Sequence, residues 1–155
     1  MSLKQRLEQD MKDAMRARDK VRLDTIRMLR AAVRNAEIDQ RGELDDAGVI
    51  VVLSKQLKLR EEALATLEQA GRAEQAAVVR REIEVVRSYL PEPLDEAELS
   101  RLIDEAITQS GARRLQDVGK VMGLLMPQVR GRADGALVNR LVRQRLAALD
   151  PGASS

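Results

Sequence analysis

The stretch Asp117–Val142, DVGKVMGLLMPQVRGRADGALVNRLV, decides how the chain is read. At about 100° per residue, Leu115, Val118, Val121, Met122, Leu125, Met126 and Val129 fall on one arc of a helical wheel. That arc is the buried stripe of an amphipathic helix running from Leu115 to about Val129. Pro127 would clash with the carbonyl four residues back, at Gly123, so it belongs at a kink or in the last turn. The turn Arg130-Gly131-Arg132-Ala133 follows, and Asp134 stands where it can cap a second helix, Gly135 to Leu149. Two aliphatic helices broken by a glycine turn predict an all-α fold.

Working outward, composition supports the same class. Hydrophobic residues make up 44% of the chain but aromatics only 1%, with Tyr89 alone, so any core must be aliphatic. Such side chains fill helix seams well, and the 34% of charged residues would cover the outer faces. The chain has no cysteine and no histidine, which excludes disulfides, thiolate nucleophiles, imidazole ligands and imidazole bases. Neither a metal nor a cofactor is expected.

Toward the N-terminus, Pro91 and Pro93 make Leu90–Leu94 an extended joint, because proline disfavours helix in the residue before it. Asp95 and Glu98 then open a helix carrying Leu99, Leu102, Ile103 and Ile107 that stops at Gly111. Ahead of the joint, Ser2 and Gln5 form a capping-box pattern for a helix to about Arg18. Asp19 can cap a second helix, with Leu23, Ile26, Leu29, Val33 and Ala36 as its stripe. The polar segment Asp39–Asp46 breaks the pattern. A third helix runs from about Ala47 to Ala70 on Val49, Leu53, Leu57, Leu64 and Leu67. A fourth runs from Arg72 to Leu90 on Ala76, Val79, Ile83, Val86 and Leu90. The expected organisation is an antiparallel bundle or pair of hairpins of about four helices (1–90), a proline-containing hinge (91–94), a small three-helix domain (95–149) and a disordered tail (150–155). Charges recur from Lys4 onward and every apolar run is shorter than the roughly 20 residues a membrane span needs. A cytoplasmic location and no membrane partner are therefore expected.

Charge is unevenly placed. Residues 92–112 carry a net −5 and residues 113–145 a net +6, which suggests an anion-facing surface in the latter segment. Beside the apolar arc of the Leu115 helix lie Gly119 and Gly123, with Gln116 and Lys120 next to them. Each glycine costs on the order of 1 kcal/mol against alanine. Close packing of another helix within the small domain is the favoured explanation. The functional one lays a phosphate or sugar backbone against the glycines, beside Lys120. Around Gly131, backbone N–H groups with Arg130 and Arg132 could hold an anion, although Asp134 is better read as the cap of its own helix. Arg140 and Arg143 lie on the polar side of the last helix. Arg145 falls in the apolar arc and must snorkel or meet a partner. A second basic stripe, Lys20, Arg27, Arg30 and Arg34, occupies about a quarter of the wheel opposite Ile26, Leu29 and Val33. Most such stripes are solvated faces, and Asp19 and Asp24 dilute this one, the functional alternative being an extension of a nucleic-acid footprint.

The carboxylates do not assemble a catalytic pair. Glu61 and Glu62 point apart, and Asp39, Glu43, Asp45 and Asp46 lack the central glycine of a calcium loop. No residue stands out as a positioned acid, base or nucleophile, so no catalytic residue is assigned.

Gly119-Lys-Val-Met-Gly123, Met126-Pro127 and Gly131-Arg-Ala-Asp-Gly135 leading into Leu137-Val-Asn139 resemble the motif of the GatB/YqeY family. Tyr89-Leu-Pro-Glu92, Asp10-Met-Lys-Asp13 and the Arg22–Arg30 region fit its free-standing, YqeY-like members. The resemblance implies a helical N-terminal domain joined to a three-helix tail similar to that of the B subunit of glutamine-dependent tRNA amidotransferase. There the tail grips tRNA while other parts release ammonia and activate the carboxylate. Arg113-Arg114 departs from the family, which often has serine or threonine before this helix. The expected function is a tRNA- or RNA-binding accessory module. The alternatives are a protein-interaction adaptor and an amidotransferase component, with carbon–nitrogen ligase activity and glutamine as amido-N-donor inherited by similarity. Expected partners are tRNA or another structured RNA, and amidotransferase or aminoacyl-tRNA-related proteins. Without aromatics to stack on bases, recognition would be of shape and phosphate backbone.

Overall fold

A computed structural model describes residues 1–154 of the chain. Among them are seven α-helices and no strand: α1 Leu3–Ala17, α2 Lys20–Gln40, α3 Asp46–Gln69, α4 Ala73–Arg87, α5 Glu96–Ser110, α6 Val118–Val129 and α7 Gly135–Leu149. The chain is all-α. The β-branched run Val49–Leu53 lies inside α3, where its helical spacing prevails over local strand propensity.

Helix starts follow local hydrogen-bonding chemistry. The Ser2 hydroxyl accepts from Gln5 N–H while the Gln5 side chain accepts from Ser2 N–H, closing a capping box. Asp19, Asp45, Asp95 and Asp134 each accept a backbone N–H from the first turn of the helix that follows. Arg72 precedes α4 without a side-chain cap. Helix ends are less regular. Gly111 takes the left-handed conformation that glycine adopts without penalty, but Arg18 and Arg41 hold it too, at φ 54° and 58°.

The chain divides into two compact units, Met1–Pro91 and a second from Glu92 onward. In the first, α2 packs against α1, α3 and α4. Its core joins Leu7, Ile26, Leu29, Val33, Val49, Leu53, Val85, Val86 and Tyr89. Leu64 and Leu67, expected in the stripe of α3, are only half-buried. Arg60 on the same helix is the surprise: it is 6% exposed, with Nε 3.4 Å from Glu82 Oε2 and Nη1 hydrogen-bonded to the Gln56 carbonyl and side chain. Burial of that charge requires these partners, and nothing in the hydrophobic pattern announces it.

The second unit packs α5, α6 and α7 around Leu99, Ile103, Ile107, Val121, Leu125, Val129, Val138, Val142 and Leu146. A short 3-10 turn, Leu115–Asp117, leads into α6. Pro127 lies in the last turn of α6, where its missing N–H leaves the Gly123 carbonyl without the usual helical donor. Arg145 resolves its awkward position by bonding to Ser100 and Asp104 on α5. The segment expected to be a disordered tail from residue 150 instead contributes a 3-10 turn, Pro151–Ser154. Asp150 anchors it, accepting from Leu115 N–H at 3.3 Å and Gly152 N–H at 3.0 Å. Ser155 lies outside the described residues.

Candidate nucleic-acid interface

Helix α6 sorts its side chains by face. Val121, Leu125 and Val129 are fully buried, with Val118, Met122 and Met126 packed against the same core. Gly119, Lys120, Gly123, Leu124 and Pro127 form the opposite, exposed face. A Cβ built on Gly119 or Gly123 would meet nothing within 4 Å. This corrects the favoured explanation of the two glycines, since neither α5 nor α7 packs against them. The wheel misled because it gives directions, whereas the width of the covered arc depends on where neighbouring helices lie. The open face has Lys120 at one side and Leu124, 42% exposed, beside it.

The turn after α6 also differs from expectation. The N–H groups of Arg130, Arg132 and Ala133 donate to the carbonyls of Met126, Val129 and Val129, so they are not available to cradle an anion. Asp134 Oδ1 accepts from Ala136 N–H at 3.2 Å and occupies the start of α7, as its capping role requires. The two arginines separate in role. Arg130 is exposed, whereas Arg132 is half-buried and its Nε donates to the Glu92 carbonyl at 3.0 Å.

At the other end of α6, Asp117 Oδ2 accepts from the N–H groups of Arg113 and Arg114. The Arg113 amide, followed by that of Arg114 and the nearby Lys120 and Arg114 charges, holds the Asp117 carboxyl below the ordinary carboxylate range against its desolvation. These bonds brace the 3-10 turn ahead of α6, whose own start has no side-chain cap. On α7, Arg143 Nε donates to Asn139 Oδ1 at 2.8 Å, while Arg140 is exposed and has no side-chain partner among the described residues.

In the first unit, the Lys20, Arg27, Arg30, Arg34 stripe is divided as well. Arg27, Arg30 and Arg34 line one cavity between α1 and α2, and Lys20 is not among its walls. The sequence pattern showed the shared face of α2 but could not show which part α1 would turn into a cavity.

A family model described as Yqey-like protein matches residues 4–146. The chain belongs to that family. Among curated relatives, altered inheritance of mitochondria protein 41, mitochondrial, of Pyrenophora tritici-repentis is 28% identical over 148 residues, which cover 92% of this chain and 80% of the relative. The protein of the same name in Saccharomyces cerevisiae is 24% identical over 149 residues, covering 89% and 80%. A shorter likeness, 42% identical over 60 residues, joins 36% of this chain to 10% of a glutamyl-tRNA(Gln) amidotransferase subunit from Thermococcus gammatolerans.

These comparisons overturn the expectation of a cytoplasmic location, because relatives matching most of the chain carry mitochondrial names. That expectation rested on the charges from Lys4 onward and on the lack of a membrane-length apolar run, and neither identifies a compartment. Among the described residues no helix is long and apolar enough to cross a membrane.

Proposed function

We propose that this Yqey-like protein is an RNA-binding accessory module that grips structured RNA, tRNA in particular, through the exposed face of α6. The observation that carries the reading is the open pair Gly119 and Gly123. Gly123 lies in the interior of α6, where glycine disfavours the helix by on the order of 1 kcal/mol, and Gly119 in its first turn; among the described residues nothing packs where either side chain would stand. A face without side chains lets a sugar-phosphate backbone come close. Lys120 and Arg130 would neutralise phosphates, with Arg140 and Arg143 as further contacts on α7. The partial likeness to one subunit of a tRNA amidotransferase supports tRNA as the RNA. The proposal is one of binding and includes no reaction.

The test is binding of folded tRNA at increasing salt. Neutralising up to about four phosphates predicts that log K falls with log salt at a slope of roughly −0.9 per contact. The variant carrying Lys120→Glu and Arg130→Glu should lose most of its affinity, and undiminished affinity would end the proposal.

One observation favours a second reading, a protein adaptor. Leu124 is exposed beside the glycines, as it would be if a partner helix lay against them. Under that reading Leu124→Ser abolishes partner capture, whereas Lys120→Glu with Arg130→Glu has little effect.

A further inference from the structure

The cavity between α1 and α2 has no part in the proposed α6 surface, yet it has a marked chemical character. Its volume is about 580 Å³, and its walls include Arg27, Arg30, Arg34 and Asn35 from α2 and Gln5 and Glu8 from α1. Four basic and two acidic side chains line it, leaving a net positive charge. Both acids have cations of their own. Glu37 is held by Lys4 at 2.8 Å, and Glu8 lies 3.8 Å from Lys12.

The three arginines have no such partners. Arg27 and Arg34 make no side-chain hydrogen bond or ion pair among the described residues. Arg30 is half-buried and donates only to the Met11 sulfur, at 3.1 Å, which is a weak acceptor. Three guanidiniums therefore share one concavity without a carboxylate to neutralise them. Arg27 and Arg34 are exposed and Arg30 half-buried, so all three can turn toward an anion that enters the cavity. Buried Leu7 and Val33 also line the cavity, and apolar walls strengthen the field of the charges above them.

We infer that this cavity is a binding site for linked phosphate groups. Arg27 and Arg30 are separated by about 4.5 Å of helix rise, and Arg30 and Arg34 by about 6 Å. A lone carboxylate could engage only part of that row. A ligand with two or more phosphates could meet successive guanidiniums in their forked geometry. Gln5 and Asn35 add neutral donors at the wall. The cavity walls contain no aromatic to stack a base, so recognition is of the phosphates themselves. Those phosphates could belong to a small phosphorylated compound or to the backbone of an RNA strand, and the chemistry at the arginines is the same.

The experiment titrates the full chain with inorganic pyrophosphate at low salt, following the arginine side-chain NMR signals. Saturable shifts at Arg27, Arg30 and Arg34 are expected. The double variant Arg27→Gln and Arg34→Gln should weaken binding by about tenfold or more, whereas the two lysine replacements, which keep the charge but lose the fork, should weaken it less. Among the described residues neither position has a hydrogen-bond or ion-pair partner to lose, and an unchanged melting curve confirms that the variants fold. Folded tRNA is then added to the pyrophosphate complex. Displacement of pyrophosphate assigns the site to an RNA backbone, and retention assigns it to a small phosphorylated ligand. Absence of saturable shifts, or equal affinity in the glutamine variant, overturns the inference. Lys120→Glu with Arg130→Glu should leave pyrophosphate binding intact, so this result separates the cavity from the α6 surface.

Discussion

The Arg132 guanidinium is bonded to the Glu92 carbonyl at 3.0 Å, and the Arg132 carbonyl accepts from Leu94 N–H at 2.9 Å. An arginine that looks free in the sequence thus ties the turn after α6 to the proline-containing segment before α5. Its neighbour Arg130 has no comparable attachment. Arg132→Gln should therefore lower the stability of the second unit by about 1 kcal/mol, the worth of one hydrogen bond. Arg130→Gln should leave stability unchanged and weaken RNA binding. Thermal melts by circular dichroism together with tRNA titrations distinguish the two, and an equal loss of stability in both would contradict this division.

Gly119→Ala and Gly123→Ala are expected to separate stability from function. Each adds a methyl group that meets nothing and removes a glycine from a helix, so each should stabilise by up to about 1 kcal/mol. If a backbone must approach this face, the same substitutions reduce affinity. Chemical denaturation of each variant beside its tRNA titration measures both effects, and stabilised variants with full affinity would show the bare face to be unnecessary.

Arg41 ends α2 in the left-handed conformation at φ 58°. Its Cβ is unfavourably placed there, and glycine at the same position avoids the conflict. Arg41→Gly should raise the stability of the first unit by about 1 kcal/mol. A denaturant midpoint at or below that of the parent chain would argue against strain at this position.

Acid should weaken the first unit through Glu37. The Lys4 ammonium, and then the Leu44 N–H, hold the Glu37 carboxyl below its ordinary value of 4.5, against the opposing effect of desolvation. A depressed carboxyl stabilises the folded state above the unfolded value and loses that contribution as pH falls through the folded one. Stability should thus decline below about pH 4.5, and Glu37→Gln should flatten that part of the profile. Urea titrations across the acid range provide the measurement, and parallel pH profiles would refute the assignment.

Much of the fold was legible because its local determinants are short-range. Ser2, Asp19, Asp95 and Asp134 each announce a helix start by chemistry reaching only two or three residues ahead. The aliphatic stripes of α2 and α6 repeat with the helical period, and Ile26, Leu29 and Val33 of the one and Val121, Leu125 and Val129 of the other lie buried in the cores. What stayed hidden depends on neighbours distant in sequence. Arg60 is buried because Gln56 and Glu82 are there to meet it, and a hydrophobic pattern registers only its charge. The glycines of α6 looked like packing residues because they border the apolar arc, while the actual positions of α5 and α7 leave them uncovered. The amides near Gly131 looked available because side-chain identity does not show which carbonyls the backbone will reach.

Tyr89, the only aromatic side chain, is 3% exposed, and its hydroxyl donates to Asp10 Oδ2 at 2.6 Å while Arg6 lies over its ring. Its placement divides the molecule optically. Near-ultraviolet absorbance and intrinsic emission come from one ring in the first unit, so they report on that unit and are blind to local changes in the second. A melt followed by tyrosine emission alone would therefore miss independent unfolding of α5–α7. Tryptophan introduced at exposed Leu124 would supply the missing optical signal on the face where RNA is proposed to bind.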